Sequence, residues 1–197
     1  MPKKVGIIFV SMGAVLILSA LLLFFHNKRE AQRAGQEAEL LLNSLQTVLT
    51  EQEVPEEKEL SPEMPVVMID GYGYIGYLSI PELELELPVM SEWDYARLKI
   101  APCRQCGSSR TDDLVIAAHN YETHFGSLSD LEAGAAILFT DMEGVENHYR
   151  LDKLETLDPE EDEAVEAVLE SEYPLVLYTC TTSGAARVTA FCQRVEG

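Results

Sequence analysis

Basic side chains are scarce in this chain of 197 residues: 14 lysines and arginines stand against 34 aspartates and glutamates, for a formal charge of −20. Such an excess of acid excludes the basic face that binding to a nucleic acid backbone requires. Aromatic residues are also few, 8% of the chain with one tryptophan, yet 47% of the residues are apolar, which excludes a disordered composition. No sequence repeat is present, so a solenoid or propeller is not expected. Acidic residues are missing from one region altogether. The first of the 34 is Glu30.

Ahead of it, Val5 to Phe25 carries no charge over 21 residues. At about 1.5 Å per residue such a helix reaches roughly 31 Å, the thickness of a bilayer's hydrocarbon core. A cleavable signal would have a shorter apolar stretch and small residues at its end, whereas Phe24-Phe25-His26-Asn27-Lys28-Arg29 follows here. Residues 1–28 therefore read as a membrane anchor with a single span. Lys3 and Lys4 face Lys28, Arg29 and Arg33 across it, so charge alone leaves the orientation balanced.

Residues 29–65 read as a juxtamembrane helix followed by a linker. Ala31, Ala34, Ala38, Leu41, Leu45 and Val48 recur at steps of three and four and share one helical face, expected as the apolar side of a short stalk, with packing on the domain or on a second copy of itself as the alternatives. Glu51 to Pro65 is acidic, proline-bearing and poor in large apolar groups, and is expected to be a flexible spacer. The 132 residues 66–197 suffice for one hydrophobic core. They hold short β-rich runs: Ile75–Pro81, Leu83–Val89, Leu114–Ala118, Ala136–Phe139, His148–Leu151, Leu175–Tyr178 and Arg187–Cys192. Glu160–Glu172 is the one good helical stretch, stopped by Pro174. The pattern predicts a mainly β barrel or sandwich.

Three residues in this region have complementary chemistry. Cys180 stands where a strand gives way to the turn Thr181–Ala186, and Arg187 opens the next strand, so a tight hairpin would bring the two together. His119 likewise ends an apolar run. A thiol of ordinary pKa is mostly protonated at neutral pH and needs a neighbour that favours the thiolate. Histidine removes that proton and later delivers it to a leaving amine, and a guanidinium holds a peptide or an oxyanion. Together the three types suit acyl transfer.

Leu177-Tyr-Thr-Cys180 with Arg187 on the following strand and His119 upstream resembles the signature of sortases, the membrane-anchored cysteine transpeptidases of Gram-positive-type cell surfaces. Ile80-Pro81, Leu87-Pro-Val89 and His119-Asn-Tyr followed by Phe125-Gly-Ser-Leu128 extend the likeness over about Tyr74 to Val195. The Asn after the histidine and the later Phe are nearest to class B enzymes, with the subclass open. Val176 stands where the family often has threonine, and Tyr178 where a smaller residue is common.

The resemblance implies a closed β-barrel of about eight strands with few short helices. It implies that Cys180 attacks the backbone carbonyl of a C-terminal sorting motif in a surface protein, forming a thioacyl enzyme. An amine of the cell wall, from a peptidoglycan precursor, or of a pilin then resolves that enzyme. His119 would be general acid and base, Arg187 would hold peptide and oxyanion, and Thr179, Asn120 and Tyr178 would contact substrate. No metal or other cofactor is implied. The N-terminus would be cytoplasmic and the catalytic domain extracellular, at the cell membrane.

Other thiol chemistry is also open. Cys103-Arg-Gln-Cys106 has the spacing of a redox pair or half a zinc site, but no second pair accompanies it; it is expected in a loop, as a disulfide or as structural thiols. A membrane-tethered redox or metal protein built on that pair, and an inactive barrel that only binds wall peptides, are the alternatives. Cys192 is expected to be buried and inert, and His124 to face solvent.

Overall fold

The structure is a computed structural model that describes residues 2–51, 61–158 and 172–195. Pro2–Glu51 forms one helix, α1, which takes in both the expected span and the expected juxtamembrane helix. The reason is local: residues 26–33, His-Asn-Lys-Arg-Glu-Ala-Gln-Arg, contain neither proline nor glycine to stop it.

The chain divides between Arg33 and Ala34 into two compact units. In the first, Ile8, Phe9, Val10, Leu16 and Leu22 are all exposed. This part of α1 is long and apolar enough to cross a membrane, and an outward-facing apolar cylinder matches that solvent. In the second unit the remainder of α1 is part of a folded core. Ala34, Ala38, Leu42 and Leu45 are buried. Leu45 packs with Tyr74, Met90, Leu98 and Cys103, and Ala38 joins the cluster that holds Phe125 and Leu128. From Ala34 onward the expected stalk stripe is thus packed on the second unit's core, the domain-packing alternative, which its small and large apolar residues serve equally well.

Among the described residues this unit has nine strands: β1 (Val67–Ile69), β2 (Tyr72–Ile80), β3 (Leu85–Met90), β4 (Cys103–Cys106), β5 (Leu114–Ala117), β6 (Ala136–Asp141), β7 (Glu146–Leu157), β8 (Leu175–Cys180) and β9 (Arg187–Arg194). Their order is β1-β2-β3-β4-β5-β8-β9-β7-β6, and a further pairing of β6 with β2 closes eight of them into a barrel, with β1 an appendage on the start of β2. Closure depends on Gly76, which sits opposite Asp141 at a bulge in β2 with φ +152°. A Cβ there would fall 2.0 Å from the Thr140 carbonyl oxygen, so only glycine lets the seam meet.

The seven expected β runs are all strands, and two strands were not expected. One is β1. The other is β4, where the Cys103–Cys106 stretch is paired antiparallel with β5 instead of forming a loop. Four residues without apolar alternation carry little sequence signal, and the pairing comes from the neighbouring edge. In β5 and β8, Leu114, Ile116, Leu175 and Leu177 face the main core while Val115 and Val176 pack with Phe191 on the other side. Burial on both faces accounts for their continuous apolar runs.

The expected spacer is only partly within view. Ser61–Pro65 is fixed to the barrel rather than loose: Met64 is buried in the core, Ser108 Oγ donates to the Pro62 carbonyl (2.8 Å) and Arg110 Nη1 to that of Ser61 (3.0 Å). Arg110 also donates through Nη2 to the fully buried Asp141 carboxylate (2.6 Å) and pairs with Glu143. These protein partners replace water for the segment's carbonyls. Residues 52–60 and the helical stretch expected at Glu160–Glu172, its last residue excepted, lie outside the described residues.

Candidate active site

Three strand ends meet at one rim of the barrel. Strands β5 and β8 run parallel, in register from Leu114 opposite Leu175 to Ala117 opposite Tyr178. The alignment continues beyond the strands, for Ala118 N–H donates to the Tyr178 carbonyl (3.1 Å) and Thr179 Oγ1 to the Ala118 carbonyl (2.9 Å). Extending the same register brings His119 level with Cys180. On the other side β9 pairs antiparallel with β8, and its terminal pair is Cys180 opposite Arg187. Directly opposed residues in such a pair project from the same face of the sheet.

The hairpin between them is closed by Thr181 N–H donating to the Ala186 carbonyl and Gly184 N–H to that of Thr181, both 2.8 Å. Gly184 has φ +73°, which a residue without Cβ adopts freely. Arg187 Nη1 lies against the turn, donating to the carbonyls of Gly184 (3.4 Å) and Ala186 (3.3 Å). Both Cys180 and Arg187 are half-buried. Two of the other cysteines are different: Cys103 and Cys192 are fully buried, and burial pushes each thiol up to about 12, far from an anionic sulfur at neutral pH.

Asn120 links the histidine to this hairpin. Its Nδ2 donates to the Thr181 carbonyl (3.2 Å), which orients the amide and turns Oδ1 toward His119 Nδ1 (3.3 Å). An Nδ1–H that donates to Oδ1 leaves Nε2 unprotonated, the tautomer a general base needs. The ring of Tyr121 stacks on the same imidazole.

The three residues expected to contact substrate occupy different surroundings. Asn120 is half-buried at the rim. Thr179 is buried, with its hydroxyl engaged by Ala118, so it ties the two strand ends together from behind. Tyr178 is half-buried, and its hydroxyl donates to Gln105 Oε1 (3.0 Å) while burial pushes its pKa up to about 12 against the opposing charge of Arg187.

His124 overturns the expectation of a solvent-facing side chain: it is fully buried, with neither ring nitrogen hydrogen-bonded. Burial and the nearby His119 push its pKa down to about 4, so the ring is neutral. The polar Asn120–Thr123 stretch masked its direction, because the chain turns inward just before Phe125. Tyr121 was missed for a related reason, since an i, i+2 pair stacks only when the loop folds back on itself.

Cys103 and Cys106 do not form a disulfide; both are free thiols. They pack into separate clusters, Cys103 with Met90 and Ala101 and Cys106 against Val115 and Val176, as the bulge in β4 between them dictates. Among the described residues no group of three or more His, Cys, Asp and Glu side chains is arranged to hold a metal ion.

A cysteine, an imidazole and a guanidinium thus stand on three adjacent strand ends of a closed barrel. The sortase-domain family model matches residues 78–195. The chain belongs to the sortase family, and as such is a cysteine transpeptidase. Solved structures agree in fold. Sortase C of Streptococcus pneumoniae superposes with a TM-score of 0.58 at 18% identity, over 86% of this chain and 90% of that one. Sortase A of Corynebacterium diphtheriae gives 0.56 at 18% identity, over 87% and 93%. Sortase C-3 of Streptococcus pneumoniae gives 0.55 at 24% identity, over 86% and 84%. Likeness at these identities is one of fold and carries no subclass. None of the curated proteins matches the chain in sequence.

Proposed function

We propose that this sortase cleaves the C-terminal sorting motif of surface proteins and joins the new end to an amine of the cell wall or of a pilin. The Cys180 thiol gives its proton to Nε2 of His119, and the resulting thiolate adds to the carbonyl carbon of the scissile peptide. Arg187 stabilises the oxyanion that results, and His119 protonates the departing amine as the C–N bond breaks, leaving a thioacyl ester on Cys180. The acceptor amine then attacks that ester, gives its proton to His119 and releases the sulfur. Asn120 holds the resting proton of His119 on Nδ1 and so leaves Nε2 to take up and return the transferred proton, Thr179 holds the strand ends, and Tyr178 borders the bound peptide.

One observation carries this reading: the β5–β8 register and the β8–β9 pair bring His119, Cys180 and Arg187 to a common rim. For an anchored enzyme acting on surface proteins, the N-terminus is cytoplasmic and the barrel extracellular, with the uncharged first part of α1 as the single span.

The test uses the full chain in detergent micelles, a sorting-peptide library and added glycine or diamine, read by mass spectrometry. Cys180→Ala should abolish transfer and Arg187→Ala lower it by about 10²–10³, the usual effect of losing an oxyanion donor. Cys106→Ala should stay near wild type. Transfer at the wild-type rate by Cys180→Ala would refute the mechanism, and peptide binding without cleavage by the wild-type chain would make it an inactive binding barrel.

A further inference from the structure

The Tyr121 ring lies flat on the His119 imidazole, with centroids 4.2 Å apart and planes 2° from parallel. Residues so close in sequence stack this way because the loop winds back on itself. The Tyr121 carbonyl accepts from the N–H groups of His124 (2.9 Å) and Gly126 (2.8 Å), and the His119 carbonyl from Phe125 N–H (3.2 Å). A Cβ at Gly126 would fall 2.6 Å from the Tyr121 carbonyl oxygen, so a side chain there would force the winding open.

The stack is supported from behind. The Tyr121 ring also meets the ring of His124 at 5.5 Å and 50°, and His124 is fully buried. On the far side of the loop, α1 comes so near that a Cβ at Gly35 would lie 2.8 Å from Thr123 Cγ2. Ala38, one turn further along the helix, shares a core cluster with Phe125. The loop is thus braced by helix and barrel, whereas an imidazole at a strand end would otherwise turn about its own two torsions.

We propose that Tyr121 is a positioning residue for transpeptidation: its ring face fixes the plane of the His119 imidazole, so that Nε2 addresses the sulfur and the leaving amine. The inference rests on the reading of His119 as acid and base. A displacement of about 1 Å at a reacting group costs on the order of 10²-fold in rate, so a ring that holds the imidazole acts on turnover more than on affinity.

The experiment compares Tyr121→Ala, Tyr121→Phe and His119→Ala in the full chain in detergent micelles, by transfer kinetics and by NMR of ring-¹³C-labelled histidine. Tyr121→Ala should lower kcat by about 10- to 100-fold with KM changed by less than about twofold. Tyr121→Phe should retain most of the wild-type kcat, and the upfield shift that stacking imposes on the His119 ring protons should vanish in Tyr121→Ala and persist in Tyr121→Phe. Should Tyr121→Ala fail to fold, Tyr121→Leu, with apolar bulk but no ring face, must show the same loss. Wild-type kcat in the folded Ala or Leu variant beside an inactive His119→Ala overturns this proposal alone. Wild-type transfer by His119→Ala overturns the acid–base reading as well. A Tyr121→Phe variant as slow as Tyr121→Ala assigns the effect to the hydroxyl and also overturns it.

Discussion

Replacing Leu45 by alanine tests whether the second part of α1 is core or stalk. Leu45 has no exposed surface, and Tyr74, Met90, Leu98, Ala101 and Cys103 surround it. Removing its isobutyl group forfeits the transfer free energy of the lost atoms and leaves a void that rigid neighbours on β2, β3 and β4 fill poorly. Buried leucines of this kind cost 2–5 kcal/mol, and about 3 kcal/mol suits a site walled partly by strand residues. For a chain of this length that lowers the melting temperature by roughly 6–12 °C. Leu40, on the same helix and 69% exposed, supplies the control, and Leu40→Ala should stay within about 0.5 kcal/mol of wild type. Near-UV circular dichroism of the full chain in micelles reports barrel melting. Thiol labelling of Cys103, a neighbour of Leu45, reports local release of the helix below that temperature. If Leu45→Ala matched Leu40→Ala in both, helix 34–50 would contribute nothing to the barrel's core and the reasoning would fail.

Further outcomes follow from the same structure. His124 is neutral in the fold with a pKa near 4, against about 6.5 unfolded. As pH falls, the unfolded chain takes up a proton that the folded chain refuses, so stability is full above 6.5 and declines toward 4, by up to about 3 kcal/mol. His124→Phe should flatten this slope; urea midpoints at pH 7.5 and 5 that drop equally in both proteins would contradict it. A methanethiosulfonate reagent at neutral pH should modify Cys180 well before Cys103 or Cys192, which are fully buried; peptide mapping that finds Cys103 labelled first would rule this out. Arg110→Met leaves the Asp141 carboxylate buried with its main partner gone and should cost about 3–5 kcal/mol by denaturant unfolding, whereas a loss under 1 kcal/mol would show that water reaches the site.

Chain chemistry alone determined a good deal. The uncharged stretch before Glu30 defines a helix fit for a bilayer, since nothing else satisfies twenty apolar residues and their backbone at once. Seven strands were legible because apolar and β-branched residues come in short runs bounded by turn formers. Cys180 and Arg187 were legible as neighbours because six turn residues separate them and a hairpin is a local structure. His119 was legible only through its address at a strand end and the family signature around it.

Tertiary structure decided what depends on contacts distant in sequence. The parallel β5–β8 register sets His119 beside Cys180 across sixty-one positions, and no local pattern encodes which strand a strand will choose. β4 is a strand because β5 offers it an edge. The amphipathic face of α1 carries the same residues whether it meets solvent, a second helix or a barrel, and the barrel's packing made it core. His124 is polar by composition and buried by geometry: the loop from His119 to Phe125 is anchored at both ends, and the winding between those anchors turns this one polar side chain inward beside Phe125.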